Sequence, residues 1–530
     1  MLLRARDVIA LDAAAEAAGL SAETLMARAG RAVAATAMRL QPQAQTVVVL
    51  AGPGNNGGDG YVAAAELIGR GLRVGLLEMT DAPRTPAAQH ARAALLELAP
   101  TLPCAAALAP DDADAADLLA DADLVIDALL GAGRARPAGP ELCELFERVR
   151  ACGAPILAVD VPSGLDADRA TVDGEVLTAT WTLQLSAAKP ASMLPPARDR
   201  YGAWWVDDLG LPAELVAGHA AADAIGRTRA GRALPRRRSD AHKYRAGAVL
   251  VVGGSARYAG AAELAARAAL RAGAGYVTLA TEVRHPDSWP ELVALDWRGA
   301  TTALGAAKAD VAVIGPGLEV DDATLRALLN AWGARPLLLD GGALRPAAWP
   351  PVTAGARGAP GAHGAPSAPR VLTPHAAEAG ALLGRTPDEV AADPLAAAAD
   401  LARNTGAWVV LKGPATAVAD PAGRVLLVPG GPAALAVAGT GDVLAGTIGA
   451  LWAAQLTDAR SAIRPAADLL ELLAAAVVLH AEAARVAVAR LADGDALPTG
   501  GLIASDVVAA LPAARGRLEA ERAYDAHARA

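Results

Sequence analysis

Short apolar runs alternate with longer alanine-rich segments along most of the chain, and this alternation is the feature that most limits the possible folds. The runs "TVVVLAG", "RVGLLEM", "ADLVIDALL" and "PILAVDVPSG" each have the length of one buried strand, and helical segments separate them. Buried strands that alternate with helices predict a mostly parallel sheet that helices cover on both faces. We therefore expect an α/β fold.

The same alternation starts again after "PRRRSD". The runs "AGAVLVVGGS", "GYVTLAT", "ADVAVIGPG", "RPLLLDGGAL", "RVLTPH" and "WVVLKG" follow one another, and the alanine-rich segment "GAAELAARAALRAG" separates the first two. The stretch between the two halves is polar and rich in arginine, which is typical of a linker. The sequence thus predicts two three-layer α/β/α domains, a Rossmann-like domain at residues 1–215 and a larger one at 232–515. A linker is expected at 216–231, a tail at 516–530, and a Pro/Gly/Ala-rich surface insertion between Pro350 and Arg370.

Composition narrows the possible functions. A net charge of -9 argues against binding to nucleic acid or to an anionic membrane, because both need clustered positive charge. The three cysteines show no metal-ligand spacing, which fits a reducing cytoplasm. Charges near the start break any signal-peptide core, and the apolar segment "DLLELLAAAVVLHAEAARVAVARL" is predicted to be a buried helix. We expect a cytoplasmic protein without a nucleic-acid or membrane partner.

Polar clusters follow three of the predicted strands of the first half. They are "GNNGGDG" at 54–60, "DALLGAGRARP" from Asp127 and "DVPSGLDAD" from Asp160. Open α/β sheets bind ligands at the carboxyl ends of their strands, so Asp160, Ser163 and the loop at 55–59 are expected to share one crevice. Any one cluster is explained equally well by turn residues that bond locally. Three at successive strand ends favour a site.

These segments, with "LSAAKP" after them, resemble the NAD(P)H-hydrate epimerase family, known as the YjeF N-terminal domain. Members of that family interconvert the R and S epimers of hydrated NADH and NADPH. The resemblance implies a potassium ion held by Asn56, Asp127 and Ser163. It also implies that the hydrate contacts Asn55, Asn56, Gly57, Gly58, Asp59, Gly131, Ala132, Gly133, Arg134, Ala135, Arg136, Pro137 and Asp160.

The residue chemistry agrees with this resemblance. Carboxylate, amide and hydroxyl oxygens suit a hard cation, and a glycine-rich loop with Arg134 or Arg136 suits a dinucleotide phosphate. Epimerisation at a carbon beside the ring nitrogen needs reversible ring opening or elimination, and the Asp160 carboxylate is the candidate for moving the proton. Lys189 either stabilises negative charge in this reaction or has a buried structural role. The chain contains only four lysines, so each one draws attention.

The segment "AGTGDVLAG" in the second half places a glycine loop at the head of an apolar helix. Gly439, Thr440 and Gly441 are expected to present backbone N–H groups to a transferring phosphoryl group. Asp442 is then placed to take a proton from an attacking hydroxyl. An acidic residue in the first turn of a helix is also common for reasons of dipole alone, but the preceding loop favours catalysis.

The second half resembles the ribokinase-like ADP/ATP-dependent NAD(P)H-hydrate dehydratases, the YjeF C-terminal domain, through "HKYRAGAVLVVGGSARYAGAA", "AVIGPGL", "VLTPHAAEAGALLG", "VVLKGPATAV" and "AGTGDVLAGTIGALWAAQ". The resemblance implies that a nucleotide phosphorylates the hydrate's hydroxyl and that loss of phosphate regenerates NAD(P)H. Hydrate contacts are implied for Ala261, Gly317, His375 and Asp442, with Asp442 as catalytic base. Nucleotide contacts are implied for Lys412, Gly413, Pro414, Ala415, Thr416 and Gly441.

Fused members of this kind usually use ADP as the phosphoryl donor, with AMP as the product, and ATP stays open as the alternative donor. We also expect a magnesium ion with the nucleotide and assembly into a homo-oligomer. The main alternative is a ribokinase-superfamily kinase for another small molecule, carrying a non-catalytic N-terminal binding module. The G-T-G-D loop alone does not separate the two. The stretch from "HKYRAG" onward and the fused first half are not expected in such a kinase, and they favour a bifunctional repair enzyme.

Overall fold

A computed structural model describes residues 1–80, 82–107, 113–133, 137–237, 242–284, 288–295, 297, 304–305, 307–349, 369–460, 468–492 and 500–528. The insertion expected between Pro350 and Arg370 lies almost entirely outside these residues. The chain divides into two compact units, Met1–Asp223 and Ala224–Ala530.

The first unit contains a seven-stranded, wholly parallel sheet in the order β3-β2-β1-β4-β5-β6-β7. Its strands are β1 (Thr46–Ala51), β2 (Arg73–Glu78), β3 (Cys104–Ala106), β4 (Leu124–Ala128), β5 (Ile156–Val159), β6 (Trp181–Leu185) and β7 (Ala203–Asp207). Its helices are α1 (Ala5–Ala17), α2 (Ala22–Leu40), α3 (Asn55–Gly69), α4 (Pro86–Leu98), α5 (Ala113–Ala120), α6 (Pro140–Cys152) and α7 (Ala213–His219).

The central strand β1 shows why the sequence forms this sheet. All six of its residues are buried, as expected for a valine-rich strand that helices cover on both faces. Strand order reverses between β1 and β4, and the loops that leave these two strands therefore diverge and open a crevice. The first candidate site lies at this switch point.

The second unit contains a ten-stranded sheet in the order β11-β10-β9-β12-β13-β14-β15-β16-β17-β8. The strands are β8 (Asp223–Ala224), β9 (Ala248–Gly253), β10 (Tyr276–Thr281), β11 (Val293–Leu295), β12 (Val311–Ile314), β13 (Leu337–Leu339), β14 (Arg370–Leu372), β15 (Trp408–Leu411), β16 (Thr416–Ala419) and β17 (Val425–Val428). The helices are α8 (Arg227–Ala233), α9 (Ala259–Ala272), α10 (Asp322–Trp332), α11 (Ala376–Leu383), α12 (Pro387–Ala392), α13 (Pro394–Thr405), α14 (Thr440–Arg460), α15 (Leu469–Leu491) and α16 (Ala504–Ala528).

Neighbouring strands from β11 to β15 run parallel, whereas β16 and β17 add an antiparallel meander. Strand order reverses between β9 and β12, which places a second switch point in this sheet. The predicted α/β class is confirmed in both units. The meander was not predicted, because two short apolar runs joined by a turn lack the intervening helix on which the prediction relied.

Residues 216–231, for which the sequence predicts a linker, contain most of α7, β8 and the first part of α8. The arginines that suggested a solvated segment pair with glutamates of α15: Arg227 lies 3.1 Å from Glu482, and Arg229 pairs with Glu471. Ala230, directly after Arg229, is fully buried. The tail expected from 516 likewise continues α16 as far as Ala528. Long-range ion pairs thus order a segment whose composition alone looks disordered.

The helix α15 is long and apolar enough to cross a membrane by length and composition, among the described residues that were considered. Within the protein, 89% of its apolar window is buried. Ala474, Leu479 and Ala483 are fully buried and belong to the hydrophobic core of the second unit.

Candidate active sites

A cavity of about 620 Å³ opens at the first switch point, where β1, β4 and β5 end. The residues predicted as hydrate contacts that line this cavity are Asn55, Asn56, Asp59, Gly131, Ala132, Gly133 and Asp160. Asp12 of α1 and Lys189, which follows β6, line it as well. The structure therefore brings together residues from four strand ends and one helix.

Asp160 and Lys189 form a buried ion pair at the wall of this cavity. The Asp160 carboxylate accepts hydrogen bonds from the Lys189 ammonium, from Leu185 N at 3.1 Å and from Ala132 N at 3.3 Å. The fully buried ammonium also donates to Leu185 O at 2.7 Å and Ala187 O at 3.1 Å. Asp160 has φ = 68°, a left-handed conformation that costs a non-glycine residue about 1–3 kcal/mol. Such strain is tolerated where a side chain must point into a site.

Asp127 and Ser163 form a second polar centre beside the cavity. Ser163 Oγ donates to Asp127 Oδ1 at 2.6 Å and Ser163 N to Oδ2 at 2.9 Å, while Leu130 N donates to Ser163 Oγ at 3.0 Å. Burial raises the pKa of Asp127 to about 6, although the hydrogen bonds from Ser163 oppose the shift. Asn56 Nδ2 is buried and has no hydrogen-bond partner among the described residues. The Asn56 amide packs against Gly131, which links the loop after β1 to the loop after β4.

The glycines of the first loop serve packing more than ligand approach. A Cβ on Gly57 would lie 1.9 Å from Gly52 O, and one on Gly58 would lie 2.4 Å from Met26 Cε. Gly57 and Gly58 therefore face protein atoms and do not line the cavity. Pro137, another predicted hydrate contact, is exposed and also lies away from the cavity lining. Arg134, Ala135 and Arg136 lie outside the described residues.

Gly57→Ala should destabilise the first unit by about 1–3 kcal/mol or more, because the new methyl group overlaps the Gly52 carbonyl and the backbone must move. Gly54→Ala is the matched control, since no atom lies within 4 Å of its Cβ position. Differential scanning calorimetry of the two variants measures the difference. Equal melting temperatures would contradict the packing role.

Asp59 reaches the cavity from inside α3. It is the fifth residue of α3, whose N-cap is Gly54, and it therefore does not cap the helix. Its side chain lines the cavity and is 7% exposed. Burial raises the pKa of Asp59 well above its ordinary value, and the negative charges of Asp160 and Asp12 act in the same direction. Burial also raises the pKa of Asp12, which Lys189 opposes.

A larger opening of about 700 Å³ lies between α2, α3 and α4 of the same unit. Aliphatic side chains form most of its wall, and its few charged residues, such as Glu23 and Arg70, belong to the protein surface. We place the chemistry in the smaller cavity, because there buried titratable groups converge at the switch point of the sheet.

In the second unit, four polar residues and a glycine follow five adjacent parallel strands. They are Ser255 after β9, Gly317 after β12, Asp340 after β13, His375 after β14 and Lys412 after β15. Lys412 Nζ donates to Asp340 Oδ1 at 2.8 Å, and Thr373 Oγ1 donates to the same oxygen at 2.7 Å. Asp340 is buried, and the Lys412–Asp340 pair forms the centre of this edge.

The start of α14 faces this ion pair. Lys412 Nζ lies 3.4 Å from the position that a Cβ on Gly441 would take, so the ammonium covers the N-terminal turn. A helix N-terminus and an ammonium group at one point form a site for a phosphate. Burial raises the pKa of Asp442 to about 7; the charge of Asp340 adds to the shift and Lys412 opposes it. The site thus holds an anion position beside a carboxyl group poised near neutrality, as a general base requires.

The predicted hydrate contacts lie around this centre. Gly317 has φ = 63°, and a Cβ on it would lie 2.8 Å from the Ala261 Cβ, so these two residues touch. His375 caps α11, because its Nδ1 accepts hydrogen bonds from Ala377 N at 3.1 Å and Glu378 N at 3.4 Å. Its side chain is 56% exposed, and its Nε2 lies 3.6 Å from Glu378 Oε1.

A small cavity of about 140 Å³ adjoins the same helix start. Of the predicted nucleotide contacts, Lys412, Gly413, Thr416 and Gly441 line it. Pro414 and Ala415 do not: Ala415 is buried, and the Pro414 carbonyl packs against Gly430.

His480 lines the same cavity and was not singled out from the sequence. Burial lowers its pKa to about 4, so the imidazole is neutral at physiological pH. A lone histidine in an apolar helix gives no signal of a site. Asp340 was missed too, yet its signal is visible: an apolar strand ends in aspartate in "LLLD", as in "LVID" and "LAVD".

The fold and the two sites define an α/β protein with two catalytic units. One unit is suited to proton transfer in a cavity lined by buried carboxyl groups, and the other to phosphoryl transfer at a helix start.

Comparison with known proteins also divides the chain into two parts. The sequence model of the YjeF-related protein N-terminus matches residues 22–191, and that of NAD(P)H-hydrate dehydratase matches residues 249–499. The bifunctional NAD(P)H-hydrate repair enzyme Nnr of Escherichia coli is 33% identical, over 94% of this chain and 90% of its own. The enzyme of the same name from Thermofilum pendens is 34% identical, over 83% and 84%. The chain therefore belongs to the family of bifunctional NAD(P)H-hydrate repair enzymes.

Among solved structures, the ADP/ATP-dependent NAD(P)H-hydrate dehydratase of Bacillus subtilis, co-crystallised with ATP and Mg²⁺, is 28% identical with a TM-score of 0.45. The match covers 56% of this chain and 99% of that one.

Proposed function

We propose that this chain repairs hydrated NADH and NADPH. The first unit interconverts the R and S epimers of the hydrate, and the second dehydrates the S epimer at the expense of ADP, giving AMP and phosphate. The observation that carries the proposal is the convergence of Lys412, Asp442 and the N-terminus of α14 on one point. The family relationship over nearly the whole chain supports both activities.

In the second unit, the β-phosphoryl group of ADP would lie against the N–H groups of α14 and the Lys412 ammonium. Asp442 takes the proton from the hydrate's hydroxyl as that oxygen attacks phosphorus, so AMP leaves and a phosphate ester forms. The C–O bond to this phosphate then breaks as a proton leaves the adjacent ring carbon, and the electron pair of that C–H bond forms the ring double bond. Gly317, Ala261 and His375 hold the hydrate, while Lys412, Gly413, Thr416 and Gly441 hold the nucleotide. Asp340 is a positioning residue, because it fixes the Lys412 ammonium.

In the first unit, the hydrate would occupy the 620 Å³ cavity with its hydroxyl-bearing carbon near Asp160. The Asp160 carboxylate accepts a proton. Lys189 holds this carboxylate in place through the buried ion pair. Asn55, Asp59 and the backbone at 131–133 line the rest of the cavity and orient the nicotinamide riboside.

A potassium ion fits the centre formed by Asn56, Asp127 and Ser163. Asp127 is a buried carboxylate without an ion-pair partner among the described residues, and the Asn56 amide beside it is not fully satisfied. The carboxylate, amide and hydroxyl oxygens are ligands for a hard cation. The ion would supply positive charge beside the cavity, and these three residues would hold it.

Potassium should raise the melting temperature of the protein in a saturable manner, because an ion that binds only the folded state stabilises it by mass action. Choline chloride at equal ionic strength is the control salt, and Asp127→Asn is the control variant, in which the increment should be lost. The same stabilisation by choline would contradict the assignment.

Magnesium would accompany the nucleotide. Among the described residues, no group of three His, Cys, Asp or Glu side chains is arranged to hold a metal. Phosphate oxygens would therefore supply most of the ligands, with one carboxylate at most from the protein. A cytoplasmic location and a homo-oligomeric assembly complete the proposal; gel filtration with light scattering tests the assembly.

The rival function, a small-molecule kinase, differs in its product. A kinase would release a stable phosphate ester, whereas the dehydratase releases inorganic phosphate and a reduced nicotinamide. Incubation of the S hydrate of NADH with ADP, with phosphate, AMP and NADH measured together, separates the two. Equal amounts of all three products support the dehydratase, and an accumulating phosphate ester would contradict it.

A further inference from the structure

The cavity of the first unit places two aspartates in opposite environments. Asp160 receives hydrogen bonds from an ammonium and two backbone N–H groups, whereas the Asp59 carboxyl group has no hydrogen-bond or ion-pair partner among the described residues. Both side chains are at least nine-tenths buried, and both line the cavity. Two carboxyl groups in one site whose surroundings differ in this way take the roles of base and acid.

The remaining charged groups of the cavity strengthen this contrast. Lys189 is bound to Asp160, and Arg84, at the rim, is exposed. Asp12 and Glu16 of α1 are two further carboxyl groups in the lining. No buried cation among the described lining residues is left for Asp59. Burial and the neighbouring carboxylates therefore raise the pKa of Asp59 well above its ordinary value, which favours the protonated form that an acid requires.

We infer that Asp59 is the catalytic acid of the epimerisation, acting opposite Asp160 as the base. The inference rests on the proposed function of the first unit. Its geometric basis is a buried carboxyl group on the first turns of α3, directed into the cavity and free of protein partners. No cap or ion pair explains its burial, and a substrate hydroxyl is the partner that the cavity leaves room for.

Asp59 donates its proton to the hydroxyl oxygen of the hydrate, and the C–O bond breaks with both electrons passing to oxygen, so water leaves. The lone pair of the ring nitrogen forms a C=N double bond with the same carbon. Water then adds to the other face of that carbon, its proton passes to the Asp160 carboxylate, and the C=N electrons return to nitrogen. One proton has moved from Asp59 to Asp160. Proton exchange with solvent through the open cavity then protonates Asp59 again and deprotonates Asp160.

The test compares Asp59→Asn with wild type in the conversion of R to S hydrate of NADH, followed by chromatography. The amide keeps the shape and still donates a hydrogen bond, but it cannot transfer a proton. We expect kcat to fall about 100-fold or more, with hydrate binding measured by calorimetry unchanged. Asp59→Glu should restore part of the rate. Glu66→Gln, on the same helix and paired with Arg70 at 4.0 Å, is the matched control and should retain wild-type activity.

The pH profile separates an acid from a structural residue. Because Asp59 acts in its protonated form, wild-type kcat/KM should fall as pH rises through the raised pKa, and Asp59→Asn should lose this alkaline decline. A wild-type rate in Asp59→Asn, or a loss confined to hydrate binding, would overturn the inference. If the wild-type enzyme itself does not interconvert the epimers, the proposed function fails instead. A lower melting temperature of Asp59→Asn without loss of kcat would also count against the acid role.

Discussion

Asp442→Asn should lower kcat for the ADP-dependent dehydration of the S hydrate by about 10³-fold, because the variant cannot take the proton from the attacking hydroxyl. Nucleotide binding should persist, since the amide leaves Lys412 and the N-terminus of α14 unchanged. Asp322→Asn is the control: this aspartate lies on the surface of the same unit and pairs with Arg345 at 3.0 Å. Unchanged kcat in Asp442→Asn would refute the assignment of the base.

The rate of dehydration by the wild-type enzyme should depend on pH through the ionisation of Asp442. Burial and Asp340 raise the pKa of Asp442 to about 7, so the carboxyl group is protonated and inactive below that pH. A base must be ionised, and kcat/KM for dehydration should therefore rise through about pH 7 and level off above it. Removal of the Asp340 charge in Asp340→Asn should move this midpoint to lower pH. A profile that falls with pH over this range would contradict the role.

Lys189→Met should lower the free energy of unfolding of the first unit by about 3–5 kcal/mol, because it leaves the Asp160 carboxylate buried without its counter-ion. Arg150→Met is the comparison, since its ion pair with Glu175 at 2.8 Å is about half exposed and should contribute less than about 1 kcal/mol. Denaturant titration of both variants measures the difference.

The double variant Asp160→Asn/Lys189→Met tests the cause of this loss. With the carboxylate neutralised, no unpaired charge remains in the interior, and the double variant should be more stable than Lys189→Met alone. If the free energy of unfolding falls by the same small amount in both single variants and in the double variant, the buried ion pair does not stabilise the fold. Lys189 would then act only in the reaction.

The α/β class and most of the parallel strands could be predicted because the signals are local. The length of an apolar run such as "TVVVLAG" or "ADLVIDALL" predicts the length of the buried strand. The polar residues at the end of each run mark the sheet edge at which sites form. The switch points at β1/β4 and β9/β12 depend on strand order, which the sequence does not reveal, and they decide which strand ends share a cavity.

What the sequence missed depends on contacts between distant residues. Gly57 looked like a ligand-binding glycine, but its close neighbour is Gly52 O across the turn. Arg227 and Arg229 lie in the stretch for which the sequence predicts a linker, but in the structure they pair with Glu482 and Glu471 of α15. Asp59 could be placed in a loop from the sequence, but its isolation from protein partners appears only when α1, α3 and the strand ends assemble.

Separated R and S hydrates of NADH can each be given to the enzyme with ADP, and the recovery of reduced-nicotinamide absorbance shows how fast NADH is restored from each epimer. The wild-type enzyme should restore NADH from both epimers. Asp160→Asn should restore it from the S epimer at the wild-type rate, and from the R epimer only at the spontaneous rate of epimerisation. No recovery from the S epimer with either ADP or ATP, or an equal loss for both epimers in Asp160→Asn, would contradict the division of labour between the two units.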